Sequence, residues 1–187
     1  FWINDGRGRF RGVPRLAARH TSRSSMGIDF ADINQDGHDD FLLLDMLARQ
    51  QARRLVHLDK EKPIPIVVGK FDSRPRYNRN ALLVSRGDDT WLEAANYAGL
   101  EASDWSWTAA FMDVDLDGLE DVLITNGFSF DTMDIDSKQR VLAIQNARKL
   151  PTAELKRLRK HRPAWPSANA SRKQRWQIVG CIRVFEW

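Results

Sequence analysis

The sequence predicts an all-β fold with helical insertions, built from a strand–loop–strand unit that occurs twice. A nine-residue acidic loop appears at positions 32–40 and again at positions 113–121. Short apolar runs of the kind that form buried strands flank both copies. The two loops differ by 81 in residue number, and the same difference aligns the segments before them without a gap. We call this difference the repeat offset. An internal repeat of this kind predicts a repeat architecture.

The segments before the loops share small and aromatic residues. The matched pairs are Gly6 and Gly87, Phe10 and Trp91, Ala17 and Ala98, Ser25 and Ser106, and Phe30 and Phe111. Each copy therefore predicts a strand, a hairpin turn that contains glycine, an aromatic residue, and a linker into the strand before the acidic loop.

The acidic loops have the ligand spacing of a calcium cage. Oxygen-bearing side chains stand at positions 1, 3, 5 and 9, a Gly at position 6 allows the sharp bend, and position 7 offers its backbone carbonyl. The predicted ligands are Asp32, Asn34, Asp36, the carbonyl of His38 and Asp40 in the first loop, and Asp113, Asp115, Asp117, the carbonyl of Leu119 and Asp121 in the second. A pair of solvated acidic turns is the alternative. Two copies in matching context favour two Ca²⁺ sites.

The loops do not fit an EF-hand. That motif needs a bidentate Glu at position 12 and a helix on each side. Position 12 is Leu43 in one copy and Ile124 in the other, and the flanking segments have strand character. Each cation loop is therefore predicted to join two strands.

Four further segments extend the pattern: Arg79-Asn-Ala-Leu-Leu83, Ala98-Gly-Leu100, Asp104-Trp-Ser-Trp107 and Thr125-Asn-Gly127. With the loops, they resemble the FG-GAP or VCBS repeats of integrin-alpha-type β-propellers. More narrowly, they resemble the propeller of bacterial proteins that carry an ASPIC/UnbV domain, relatives of cartilage acidic protein. The resemblance covers residues 1 to about 169 and implies a partial β-propeller of about two blades. Two blades leave outer faces uncovered, so we expect the isolated chain to be poorly stable.

The repeats divide the chain into five segments. Residues 1–45 form the first repeat with its calcium loop, and residues 79–130 form the second. Residues 46–78 form a helical or irregular insertion, because a helical composition is followed by two prolines. Residues 131–163 form a helical insertion. Residues 164–187 depart from the pattern of the repeats, and we expect this end to be out of frame or truncated.

The second insertion begins the basic part of the chain. Asp136, with Gln139 three residues later, resembles a capping box at a helix start. Pro151 permits a second helical start, and Pro163 ends it. Residues 1–137 carry 16 Lys and Arg against 23 Asp and Glu, a net charge of −7, whereas the remainder of the chain carries 13 against 2, or +11. A solvated insertion is favoured, and a nucleic-acid binder acting through residues 138–175 is the alternative.

An aromatic cluster precedes the second loop. With a period of two, Trp105, Trp107, Ala109 and Phe111 share one face of a strand. Packing between blades is the favoured interpretation, and a carbohydrate-stacking platform is the alternative.

Catalytic patterns are absent from the sequence. It contains no HExxH, GxSxG, P-loop or dinucleotide-binding motif, and the single Cys181 has no cysteine partner. We therefore expect a non-enzymatic, calcium-binding scaffold whose loops contact a protein or carbohydrate. Because the chain starts at Phe1, we expect a piece of an extracellular, periplasmic or cell-surface protein whose signal peptide is missing. The propeller of a larger extracellular enzyme stays open as an alternative.

Overall fold

The protein consists mostly of short β-strands. The computed structural model describes residues 2–57, 65–70, 73–127, 134–148 and 153–154, and the backbone of residues 175–178. Within these residues the strands are β1 (Trp2–Asn4), β2 (Phe10–Gly12), β3 (Thr21–Ser22), β4 (Gly27–Ala31), β5 (Asp40–Leu44), β6 (Arg76–Tyr77), β7 (Ala81–Ser85), β8 (Trp91–Glu93), β9 (Ser106–Met112), β10 (Asp121–Asn126) and β11 (Arg175–Ile178). The helices are a 3-10 turn (Arg15–Ala17), α1 (Gln51–His57) and α2 (Ile135–Arg148). The prediction of an all-β fold with helical insertions is confirmed.

The strands form four open sheets. The largest is antiparallel, with the order β4-β5-β7-β8. Strands β9, β10 and β11 form a three-stranded sheet, β1 and β2 form an antiparallel hairpin, and β3 pairs in parallel with β6. We call β4-β5-β7-β8 the first sheet and β9-β10-β11 the second sheet.

The repeat offset is reproduced in the strand registers. Gly27 lies opposite Leu44 in β4–β5, and Thr108 lies opposite Thr125 in β9–β10. The other four pairs of β4–β5 recur at the same offset. The three pairs of β1–β2 recur in the same way in β7–β8. The repeat therefore holds in backbone pairing as well as in sequence.

The two sheets stack with opposite faces in contact. Residues that lie opposite one another in an antiparallel pair share a face. The face of the first sheet that carries Leu42, Leu44 and Leu82 packs against Val122 and Ile124 of the second sheet. Position 122 is the repeat equivalent of Phe41, which lies on the other face of the first sheet. The contact thus joins one face of the first sheet to the opposite face of the second sheet.

Strands β4 and β9 approach closely within this stack. A Cβ atom on Gly27 would lie 2.6 Å from the backbone oxygen of Trp107. The carboxylate of Asp29 accepts a hydrogen bond from the backbone N–H of Phe111 at 2.7 Å. Glycine at position 27 is therefore a packing requirement of the contact between the sheets.

The aromatic cluster is arranged differently from the prediction. Strand β9 begins at Ser106, and the register shifts between Thr125 and Asn126. Trp105 therefore precedes the strand, and its ring centroid lies 6.2 Å from that of Trp107. Ala109 is buried and Phe111 is half-buried, and both pack in the core between the two sheets.

The first helical insertion is held by ion pairs to the second repeat. Arg53 of α1 donates to Asp104 at 2.8 Å, and Arg54 donates to Glu101 at 3.0 Å. Both acidic partners lie in the segment that leads into β9. Neither α-helix in the described part of the chain is long and apolar enough to cross a membrane.

The predicted cap of α2 was wrong by two positions. Asp134 accepts a hydrogen bond from the backbone N–H of Ser137 at 2.6 Å, and the helix begins at Ile135. Asp134 is thus the N-cap, because its side chain reaches the third residue of the helix, and Asp136 lies within the first turn. Pro151, Pro163 and Cys181 lie outside the described residues, as does most of residues 164–187.

Candidate calcium loops

The two acidic loops occupy equivalent places in the two sheets. The first joins β4 to β5, and the second joins β9 to β10. They also touch, because the side-chain amide of Gln35 donates to the carbonyl oxygen of Gly118 at 2.8 Å. The stacking of the sheets therefore places the predicted sites side by side on one edge of the protein.

The first carboxylate of each loop organises the turn. Asp32 accepts hydrogen bonds from the backbone N–H groups of Asp36 at 2.9 Å and Gly37 at 2.8 Å. Asp113 accepts the equivalent bonds at 3.0 and 2.9 Å. These bonds curl the backbone around the carboxylate, as a loop that wraps a cation requires.

The backbone conformation explains the Gly at position 6. Gly37 and Gly118 have φ values of 83° and 85°, in the left-handed region that glycine adopts without a steric penalty. Position 4 is also left-handed, with φ values of 58° at Gln35 and 62° at Leu116. The carboxylate at position 5 then accepts a hydrogen bond from the backbone N–H at position 7. Asp36 accepts from His38, and Asp117 accepts from Leu119, both at 2.9 Å.

The second loop brings three carboxylates together. One oxygen each from Asp113, Asp115 and Asp117 lies within 4.8 Å of the others. Two ligand oxygens on opposite sides of a Ca²⁺ ion, each at about 2.4 Å, would be separated by ~4.8 Å. Three carboxylates this close repel one another unless a cation or protons compensate their charge. The donor set and its spacing therefore fit a hard divalent cation.

The first loop carries one negative charge fewer at the same three positions. Asn34 replaces the middle carboxylate, and its amide nitrogen donates to Asp36 at 2.9 Å. Its amide oxygen accepts from the backbone N–H of Asp36 at 3.2 Å. The amide dipole thus offsets part of the repulsion, and we expect the first loop to attract a cation less strongly than the second.

The ninth position forms the buried base of each loop. Asp40 is buried and accepts from Ile33 N–H at 3.2 Å and from Ser85 N–H of β7 at 2.7 Å. Burial raises the pKa of Asp40; the two N–H donors lower it, and the charges of Asp36 and Asp32 raise it. Asp121 is buried and accepts from Val114 N–H at 3.1 Å. Asp121 does not belong to the group of three clustered carboxylates.

The side chain of His38 has a packing role that the sequence did not indicate. A Cβ atom on Gly87 would lie 2.6 Å from its ring nitrogen Nε2. The imidazole therefore lies against the turn between β7 and β8, where Gly87 has a φ of 72°. The predicted cation ligand at this position is the backbone carbonyl, so the ring is available for this contact.

A second polar cluster, at the opposite end of β5, was also missed. The buried carboxylate of Asp45 accepts from the Ser22 hydroxyl at 2.7 Å, and from the backbone N–H groups of Arg23, Ser24 and Met46 at 2.9, 2.8 and 2.7 Å. The hydroxyls of Ser25 and Ser22 lie 2.9 Å apart. The repeat in the sequence could have revealed this cluster, because Ser103 and Ser106 are the repeat equivalents of Ser22 and Ser25. Their hydroxyl oxygens lie 2.6 Å apart. Asp45 has a structural role, since these donors satisfy its carboxylate.

Comparison of the chain with family models, with curated proteins and with solved structures finds no match.

Proposed function

We propose that this chain is a calcium-binding β-propeller repeat module of the FG-GAP/VCBS type, which serves as a structural and interaction scaffold in an exported protein. The observation that carries the proposal is the carboxylate group Asp113, Asp115 and Asp117, whose oxygens lie within 4.8 Å of one another. The same backbone wrapping recurs one repeat earlier, around Asp32. The recurrence of the oxygen-bearing positions and of the wrapping in both loops supports a shared role as cation sites.

The stacking of the sheets supports the propeller. A contact that joins one face of a unit to the opposite face of the next is heterologous, and it repeats until the units close into a ring or extend as an array. Blades of four-stranded antiparallel sheets around a central axis are one closed form of this arrangement. The first sheet has this strand number and pairing.

Calcium in such loops would be structural. Each loop ties the end of one strand to the start of the next, so a bound cation stabilises a blade and the edge that it shares with its neighbour. Extracellular calcium modules bind with dissociation constants on the order of 0.1 to 1 mM, which suits a protein outside the cytosol. The partner would be a protein or carbohydrate held by loops on this rigid frame. The proposed module has no catalytic role of its own.

Thermal unfolding in a calcium titration tests the proposal. With a dissociation constant of about 1 mM, 10 mM Ca²⁺ would stabilise the folded state by ~1.4 kcal/mol for each site. We expect the Tm to rise with Ca²⁺, and Asp117→Ala or Asp36→Ala to reduce the rise. Asp88→Ala is the matched control, because Asp88 is an exposed carboxylate outside both loops. A Tm that Ca²⁺ leaves unchanged would contradict the proposal.

A further inference from the structure

A side-chain hydrogen bond joins the two acidic loops. The amide of Gln35, at position 4 of the first loop, donates to the carbonyl oxygen of Gly118, at position 6 of the second loop, at 2.8 Å. Both residues are exposed, and they lie 83 residues apart in the sequence. The bond therefore connects two candidate cation sites rather than two parts of one site.

Gly118 lies at the centre of the hydrogen bonds that shape the second loop. Its backbone N–H donates to Asp113 at 2.9 Å, and the next N–H, that of Leu119, donates to Asp117 at 2.9 Å. The peptide group between Gly118 and Leu119 thus accepts from Gln35 at its oxygen and donates to a predicted calcium ligand at its nitrogen. An amide that accepts a hydrogen bond is polarised and becomes a stronger donor. Gln35 is therefore linked to the carboxylate of Asp117 through a single peptide plane.

Gln35 also lies at the turning point of the first loop. Its φ is 58°, a left-handed conformation that costs energy for a residue with a Cβ atom. The next two backbone N–H groups, those of Asp36 and Gly37, donate to Asp32. The wrapping of the first loop thus begins at the left-handed residue. A bond that holds the side chain of Gln35 restricts the backbone at this point.

The repeat equivalent of Gln35 separates the backbone conformation from the side-chain contact. Leu116 stands at position 4 of the second loop, with a φ of 62° and a side chain that is exposed. A leucine side chain has no hydrogen-bond donor, yet the backbone conformation is the same. The left-handed residue at position 4 therefore does not require the amide. What the side chain of Gln35 adds is the contact with the neighbouring loop.

We propose that Gln35 couples the two calcium sites, so that occupancy of the second loop raises the affinity of the first loop. When Asp117 holds a cation, the peptide group that receives the amide of Gln35 is fixed, and Gln35 then holds the first loop in its wrapped conformation. The first loop has the weaker donor set, because Asn34 replaces a carboxylate, and it gains from being ordered before it binds. The coupling is reciprocal by thermodynamic linkage. This coupling rests on the proposed function, because it needs two loops that bind calcium.

Charge acts against this coupling, so the sign of the effect is diagnostic. The three clustered carboxylates of the second loop carry three negative charges, of which a Ca²⁺ ion compensates two. Asp117→Ala leaves two carboxylates and no cation, so the second loop of that variant is more negative than the occupied wild-type loop. The extra charge would attract a cation to the first loop slightly more strongly, and salt screens this effect. A weaker first loop in Asp117→Ala therefore cannot result from charge.

Nuclear magnetic resonance of the isotope-labelled chain measures the two loops separately. The backbone amides of Gly37 and Gly118 donate to the first carboxylate of their own loops, so each resonance reports one site during a calcium titration. In the wild-type chain the first loop fills while the stronger second loop is occupied, whereas in Asp117→Ala it fills while the second loop is empty. We expect the dissociation constant of the first loop to be about threefold higher in Asp117→Ala, an effect of the size of one solvent-exposed hydrogen bond.

Gln35→Leu removes the link and places at position 4 the residue type that the second loop already has there. In this background, Asp117→Ala is expected to leave the dissociation constant of the first loop unchanged. Gln35→Gly also lacks the amide but adopts the left-handed conformation without a steric penalty, so it should lose the coupling in the same way and replaces Gln35→Leu if that variant does not fold. Leu116→Gln is the matched control, because it changes position 4 of the second loop and leaves the bond from Gln35 intact, so the coupling should be retained.

The possible results separate the coupling from the calcium sites themselves. An equal effect of Asp117→Ala with Gln35 and with Leu at position 35 would overturn the coupling and leave both loops as calcium sites. A first loop that binds calcium as tightly in Asp117→Ala as in the wild-type chain, or a loss of the coupling in Leu116→Gln, would also overturn it. If neither glycine resonance of the folded wild-type chain responds to calcium, the proposed function fails and the coupling fails with it.

Discussion

Replacing Gly27 with alanine would place a methyl carbon inside the contact between β4 and β9. That carbon would lie 2.6 Å from the backbone oxygen of Trp107 and 3.2 Å from the Cα atom of Thr108. Ordinary contact begins near 3.4 Å, so the two strands must separate by about 0.8 Å along the shorter distance. A gap of roughly 0.5 to 1 Å already forfeits a quarter to a half of the dispersion attraction between facing atoms.

We therefore expect Gly27→Ala to lower the free energy of unfolding by about 1 to 3 kcal/mol, the usual range for overpacking. At roughly 2 to 4 °C per kcal/mol for a chain of this size, the Tm should fall by several degrees. Urea unfolding followed by tryptophan fluorescence measures the change. Thr108→Ala is the matched control, because Thr108 is the repeat equivalent and its side chain is exposed. A change below about 0.5 kcal/mol for Gly27→Ala, the range of ordinary surface substitutions, would refute the close contact between the sheets.

Two further predictions concern stability. Asp45→Ala removes the acceptor of the Ser22 hydroxyl and of three backbone N–H groups, so we expect the free energy of unfolding in urea to fall by about 3 kcal/mol or more. Asp45→Asn keeps one oxygen and should lower this free energy by less. Equal losses for the two variants would contradict this reasoning. Arg53→Met breaks a pair whose side chains are 12% and 16% exposed and should destabilise the fold by roughly 1 kcal/mol or more, because Asp104 is left with one donor fewer. Arg11→Met is the matched control, because it breaks an ion pair with Asp89 whose side chains are 58% and 56% exposed, and it should change the free energy of unfolding by less than about 0.5 kcal/mol. A larger effect of Arg11→Met than of Arg53→Met would contradict the anchoring of α1 to the second repeat through Arg53.

The sequence was most informative where a local pattern determines a local structure. The repeat offset located the hairpin turns and the loops, because glycine at a left-handed position and alternating strand residues act on their immediate neighbours in the chain. The carboxylate spacing likewise brought Asp113, Asp115 and Asp117 together, since a tight turn sets those distances.

Features that depend on distant contacts could not be predicted in this way. The burial of Asp40 comes from β7, and its bond to Ser85 joins parts of the chain that are far apart in sequence. Strand alternation assigned Ala109 and Phe111 to one face but could not say which sheet covers it. The cap of α2 was misplaced because Asp134 and Asp136 are chemically equal candidates, and only the path of the backbone selects Asp134.

The number of calcium ions that the folded chain binds tests the proposed function most directly. Isothermal titration calorimetry of the wild-type chain is expected to give two sites, with the weaker one in the loop that carries Asn34. Asp117→Ala and Asp36→Ala should each remove one site, and the double variant should remove both. Binding of no calcium by the folded wild-type chain, or two sites that persist in the folded double variant, would contradict the assignment of the two acidic loops as calcium cages.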